Sequence, residues 1–137
     1  MAKFKQINGS ITAPLGFRAA ACFCVVKTIG TGKGSDKGQK NDLALIVSDA
    51  PAKAAGMFTT NQICAAPVKL CVGHLRNNTA SAVIINSGNA NACTGPQGIA
   101  DAREMATLTG QALGLKTTDV LVGSTGRIGG PLPMPNI

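Results

Sequence analysis

Two runs of apolar, β-branched residues constrain this chain most. One is Ala82-Val83-Ile84-Ile85, which empties into Asn86-Ser87-Gly88-Asn89-Ala90-Asn91-Ala92-Cys93. The other spans Asp119 to Gly123 and empties into Ser124-Thr125-Gly126. An apolar run that stops abruptly in small polar residues and glycine reads as a buried strand ending in a site-forming loop. The rest of the 137 residues then serves as scaffold for those two ends, and at that length a single domain is expected.

A strand ending in Ser-Thr-Gly beside one ending in Asn-Ser-Gly-Asn suits a particular chemistry. A hydroxyl and an adjacent glycine N–H, pinned at a strand end, can donate together to a developing oxyanion. Glycine also lets a reacting carbonyl approach the backbone closely. The three asparagines admit two readings. They hold a loop by side-chain-to-backbone bonds, or they offer amide groups to a ligand.

A helix pattern lies between the two runs. Ile99, Ala102, Met105, Ala106, Leu108, Ala112 and Leu113 form an apolar stripe at helical spacing. Thr94 and Gln97 fit a capping box, Pro96 falls in the first turn, and Gly114 supplies the stop. Asp101 and Glu104 sit in the early turns, where the helix dipole favours carboxylates, and need no acid–base role.

Upstream, 18–27 and 42–47 read as strands joined in a hairpin by the Gly/Lys loop at 28–41. Gly30, Gly32 and Gly34 hint at a phosphate cradle. Ser35 stands where the dinucleotide pattern wants glycine, and no helix pattern follows, so the loop reads as a hairpin tip. Asp49-Ala50-Pro51 reads as a turn and 56–60 as a short strand. Residues 63–75 are ambiguous between strand and helix, interrupted by Pro67. Asn77-Asn78 reads as a turn. The tail, with Pro131, Pro133 and Pro135, can be neither helix nor central strand.

Composition narrows the classes. Apolar residues make up 45% and charged residues 14%. That supplies a core with fewer charges than a free-standing domain usually carries. The chain is either buried against something or an Ala- and Gly-rich monomer. Net charge is +7, and Lys3, Lys5, Arg18, Lys27, Lys33, Lys37 and Lys40 crowd the first 40 positions. A basic half suits a carboxylate substrate or an acidic partner chain, but reads first as a solvated face. With no Trp and no Tyr there is no stacking platform, so nucleic acid is disfavoured. Cys22, Cys24, Cys64, Cys71 and Cys93 are odd in number and form no C-x-x-C pair. They read as reduced thiols of an intracellular protein, and a single histidine argues against zinc. His74 itself, among apolar residues, reads as packed or surface. No long apolar N-terminal segment is present, so neither export nor a membrane span is expected.

Several long segments carry a resemblance: ITAPLGFRAAA (11–21), DLALIVSDAPAKAAGMFTTN (42–61), AAPV (65–68), VIINSGNANACTGPQG (83–98), DAREMA (101–106), ALGL (112–115) and VLVGSTGRIGGPLPM (120–134). In that order they closely resemble the ArgJ family, the ornithine acetyltransferases or glutamate N-acetyltransferases of arginine biosynthesis. The segment 28–41 is the least family-like. The resemblance implies an α/β sandwich of mostly antiparallel sheets flanked by helices, incomplete in this chain. It implies a cytoplasmic enzyme whose precursor cleaves itself into two chains, with 1–137 the N-terminal part of the first, or alpha, chain. The new N-terminal threonine of the beta chain is the family's nucleophile. It takes acetyl from N-acetylornithine, forms an acetyl-enzyme and passes the group to glutamate. No cofactor is implied, although bifunctional members also accept acetyl-CoA as acetyl donor. Thr125 and Gly126 match the family's Thr-Gly oxyanion hole.

Two departures stand out. The family pattern usually reads STGVIG, and Arg127 replaces the valine. The 137 residues also end before the family's self-cleavage site, so the nucleophilic threonine is not among them. By resemblance, this segment is catalytically silent alone, exposes sheet edges and apolar faces, and associates with the beta chain in a hetero-oligomer. The alternatives are a decayed module that binds N-acetylornithine, an interaction subunit pairing in trans with a catalytic chain, and a related threonine-nucleophile aminopeptidase. NSGNANACTG and STG favour the acetyltransferase.

Overall fold

The two β-branched runs do become neighbouring strands, and everything else is arranged around them. The computed structural model describes residues 5–28 and 39–137. The glycines at 30, 32 and 34, and the hairpin tip read there, lie outside the described residues. The elements in order are β1 (Phe17–Cys22), β2 (Leu43–Lys53), α1 (Ala66–His74), β3 (Thr79–Asn89), α2 (Gly95–Leu113) and β4 (Val120–Arg127). The described strands form one sheet in the order β1-β2-β3-β4. β1–β2 and β2–β3 are antiparallel, and β3–β4 is parallel. The class is α/β, as expected, with mostly antiparallel pairing. Parallel neighbours need a long crossover, and α2 provides it.

Period-two alternation explains which face of the sheet is covered. Ala82 and Ile84 on β3, and Val120 and Val122 on β4, point to one face and are at most 6% exposed. Leu43, Leu45 and Val47 of β2 extend that face. Ala66 and Leu70 of α1 and Ala102, Met105 and Ala106 of α2 pack on it, with Leu132 of the proline tail. Met105 is 1% exposed, and its burial contributes about 2 kcal/mol. Leu108 and Leu113 of the stripe stay partly exposed. His74 Nδ1 donates to the Val120 carbonyl at 2.7 Å, pinning α1 to β4, so this histidine is a packing residue.

Local chemistry overrode several sequence expectations. Pro67 starts α1 rather than interrupting it, because a first-turn position has no use for the missing N–H. Asp49-Ala50-Pro51 is not a turn. β2 runs through it, and the ladder to β3 shifts register between Val47 and Ala52, the irregularity that a residue without an N–H requires. Residues 56–60 form no strand. Met57 is fully exposed, and Thr59 and Asn61 bond the backbone two residues ahead instead. The first strand is shorter than 18–27, ending at Cys22. Asn78 closes the expected turn in the left-handed region at φ 52°.

At α2, Pro96 lies in the first turn and Gly114 ends the helix at φ 68°. The capping box does not form. Thr94 Oγ1 donates to Asn91 Oδ1 at 2.7 Å, and Gln97 Nε2 donates to Asp101 at 2.7 Å. Asp101 is 2% exposed, so its role is this buried bond rather than a surface interaction with the dipole.

Candidate active site

The strand ends do not fray into a loop. β3 continues through Asn86-Ser87-Gly88-Asn89, and β4 continues through Ser124-Thr125-Gly126-Arg127. Parallel pairing sets Asn86 beside Ser124, Ser87 beside Thr125, and Gly88 beside Gly126. Alternation then sorts these pairs. Asn86 follows Ala82 and Ile84 on the helix-covered face, and Ser124 Oγ donates to its Oδ1 at 2.6 Å. The core face therefore ends in a polar pair. Ser87 and Thr125 belong to the opposite face, where Thr125, Gly126 and Arg127 are exposed. Lys27, Thr28, Ser87, Gly88, Thr125, Gly126 and Arg127 line one cleft of about 380 Å³ there.

Two glycines make this meeting possible. Gly88 has φ 110° and Gly126 has φ 134°, both left-handed values that side chains rarely tolerate. A Cβ on Gly126 would fall 2.6 Å from Asn89 N and from Gly88 O. A Cβ on Gly88 would fall 2.5 Å from Lys27 Cα. Three backbone segments touch where the hydroxyl of Thr125 and the amide of Gly126 sit.

The structure chooses between the two readings of the asparagines. Asn86 Nδ2 donates to Asn89 O at 2.8 Å. Asn89 Nδ2 donates to Gly130 O (3.1 Å) and Pro131 O (2.8 Å), while its Oδ1 accepts from Asn91 N (2.8 Å). Asn91 Nδ2 donates to Gly98 O at 2.8 Å. Asn86 and Asn91 are 0% exposed and cannot reach a ligand. They are the frame. Ala90 N donates to Arg127 O and Gly129 N to Ala92 O, both at 2.8 Å, which tie the two chain ends together past the strands.

Asp42 is a site residue that the sequence did not reveal. It is 2% exposed. Its Oδ1 accepts from Cys24 N (2.7 Å) and the Cys24 thiol (3.3 Å), and its Oδ2 accepts from Lys27 N (2.8 Å). Its own carbonyl accepts from Ser87 N at 2.8 Å. One residue thus holds the 24–27 segment over Gly88 and so builds a wall of the cleft. Burial alone would raise its carboxyl, but the N–H groups of Cys24 and Lys27, with the Cys24 thiol, outweigh that and hold it below the usual carboxylate value. The Cys24 thiol moves the other way, pushed up to about 12 by burial and by the Asp42 carboxylate, and is inert at neutral pH. Within this segment Val25 adopts φ 63°, a strained value for a β-branched residue. Nothing in the spacing of the sequence links Asp42 to backbone 15 and 18 residues upstream.

Chemically, the cleft is lined by the hydroxyl-bearing Ser87 and Thr125, by Gly88 and Gly126, and by the cationic Lys27 and Arg127. The described lining residues include no carboxylate. The donors suit a negatively charged oxygen. Among the described residues, no helix is long and apolar enough to cross a membrane.

The model of the ArgJ family matches residues 27–137. Over 131 residues the chain is 48% identical to the arginine biosynthesis bifunctional protein ArgJ of Symbiobacterium thermophilum, covering 96% of this chain and 31% of that protein. It is 47% identical over 135 residues to the protein of the same name from Thermosynechococcus vestitus, covering 98% and 30%. The chain therefore spans under a third of the length of these relatives. The crystal structure of ArgJ from Bacillus halodurans superposes with a TM-score of 0.83 at 36% identity, covering 93% of this chain and 62% of that one. Ornithine acetyltransferase from Mycobacterium tuberculosis, solved in complex with ornithine, gives 0.77 at 41% identity, covering 92% and 64%.

Proposed function

The chain belongs to the ArgJ family, and from that premise we propose that it supplies the charge-stabilising half of an acetyltransferase of arginine biosynthesis. In this reading residues 1–137 are the N-terminal part of the alpha chain. The reaction moves acetyl from N-acetylornithine to glutamate. The observation that carries it is the exposure of Thr125 and Gly126 in one cleft at the ends of two parallel strands.

The nucleophile is a threonine at the start of a beta chain, outside these 137 residues. Its oxygen attacks the acetyl carbonyl, and the carbonyl π pair moves onto oxygen. The Thr125 hydroxyl and the Gly126 N–H donate to that oxyanion. The C–N bond then breaks, the released amine of ornithine takes a proton, and an acetyl-threonine ester remains. Glutamate's neutral amine attacks the ester through a second oxyanion on the same two donors; the acyl C–O bond breaks, the amine's proton returns to the threonine oxygen, and N-acetylglutamate leaves. Each such donor contributes about 10²–10³ in rate. No cofactor enters, and acetyl-CoA is an alternative acetyl donor if the chain shares the bifunctionality named in its relatives. The segment is silent alone and works with the beta chain in a cytoplasmic hetero-oligomer.

The test is a graft of residues 1–137 onto the remainder of the Symbiobacterium relative. The graft is expected to transfer acetyl from N-acetylornithine to glutamate, and Thr125→Ala to lower kcat about 10²–10³-fold. Full-rate turnover by Thr125→Ala would sink the reading. So would acetyl transfer above background by the isolated 137 residues.

A further inference from the structure

We propose that Ser87 is a further catalytic residue, its hydroxyl donating to the acyl oxygen beside Thr125 and Gly126. This rests on the acyl-transfer reading above and deepens it, because it adds a donor from β3 to a pair that β4 alone supplies.

The geometry begins with register. Ser87 is the partner of Thr125 in the parallel β3–β4 ladder. Residues paired across adjacent strands send their side chains to one face, about 5 Å apart. Both line the same cleft, on the face away from the helices. An oxygen about 2.8 Å from each hydroxyl fits between the two.

The hydroxyl is open and its base is fixed. Ser124, one residue before Thr125, faces the core, and its Oγ is committed to Asn86 Oδ1 at 2.6 Å. Among the described residues, no hydrogen bond engages the Ser87 hydroxyl. Ser87 itself is half-buried, and its backbone N donates to Asp42 O at 2.8 Å. The preceding Asn86 is 0% exposed and bonded to both Ser124 and Asn89. On so fixed a strand only the side-chain torsions of Ser87 remain to be set, so donation needs little reordering.

The chemistry fits both halves of the reaction. A serine hydroxyl is a neutral O–H donor. It is indifferent to whether the amino-acid part carries ammonium or carboxylate, so it serves the ornithine and glutamate steps alike. A hydrogen bond to an oxyanion is stronger than one to a neutral carbonyl, so the contribution falls on the transition state.

The test uses the same graft, with N-acetylornithine and glutamate. Ser87→Ala should lower kcat about 10–100-fold and leave KM within about twofold. Ser87→Thr keeps a hydroxyl and should retain most of the rate. Ser87→Val has the shape of threonine without the hydroxyl and should fall as far as Ser87→Ala. Adding Ser87→Ala to Thr125→Ala should slow the enzyme beyond Thr125→Ala alone. Full-rate turnover by Ser87→Ala, a loss confined to KM, or equal rates for Ser87→Val and Ser87→Thr overturns the proposal and leaves the acyl-transfer reading standing. A graft that transfers nothing overturns both.

Discussion

β1 and β4 are both outer strands of the same sheet, yet they are held in opposite ways. β4 buries Val120 and Val122 at 0% and 5% exposure. Its polar end is locked by buried amides that water cannot reach. β1 is exposed from Arg18 to Cys22. Beyond its ladder to β2, among the described residues, it is held by surface contacts: Arg18 Nε pairs with Asp49 Oδ1 at 2.6 Å, with side chains 70% and 52% exposed, and Asn41 Nδ2 donates to Ala21 O at 3.4 Å. An exposed pair competes with water and contributes about 0–1 kcal/mol. A buried amide stripped of its partner costs about 1–3 kcal/mol. The candidate donors sit on the strand whose position is set by the second kind of bond, which is where fixed geometry is needed.

The contrast can be broken most decisively at Gly126. An added methyl there meets the backbone of Gly88 and Asn89 and forces a left-handed φ on a residue with a side chain. Gly126→Ala should cost roughly 3–5 kcal/mol in a urea titration, and a loss under 1 kcal/mol would show that the β3–β4 contact is soft. A smaller effect is expected from acid. Asp42 has a folded pKa below its unfolded one, so its contribution is complete above about pH 4 and disappears as pH falls through the folded value. The amides of Cys24 and Lys27 should then lose hydrogen-exchange protection before those of Val120 and Val122. Simultaneous loss would deny Asp42 its local role. The smallest effect belongs to β1. Arg18→Ala should change stability by under about 1 kcal/mol, and a larger loss would make the exposed edge as specific as the buried one.

What the sequence made legible follows the same division. AVII, the α2 stripe, Pro96 and Gly114 act through near neighbours, and they fold as their local patterns require. Thr125 and Gly126 were legible as the polar end of a strand, because a hydroxyl beside a glycine after a β-branched run is itself a local pattern, and they do line the cleft at the end of β4. Asn86 to Asn89 looked like loop because asparagine favours turns. They are strand because their ladder partners are distant in sequence, Ser124 lying 38 residues from Asn86, and because Asn89 is tied to Gly130 and Pro131. Asp42 was invisible for the same reason. The Thr94–Gln97 box failed because Asn91, just outside its window, captured the threonine. Pro51 survived in a strand because the ladder shifted register around it.

The parallel course of β3 and β4 also bears on how the molecule is built in time. Residues 90–119 must cross over before Ser87 meets Thr125, so the cleft is assembled only after position 127 has left the ribosome. Until β4 pairs, the edge of β3 is unprotected, and closing so long a segment is slow. Nascent chains stalled in that interval are where chaperone dependence and misassembly should concentrate.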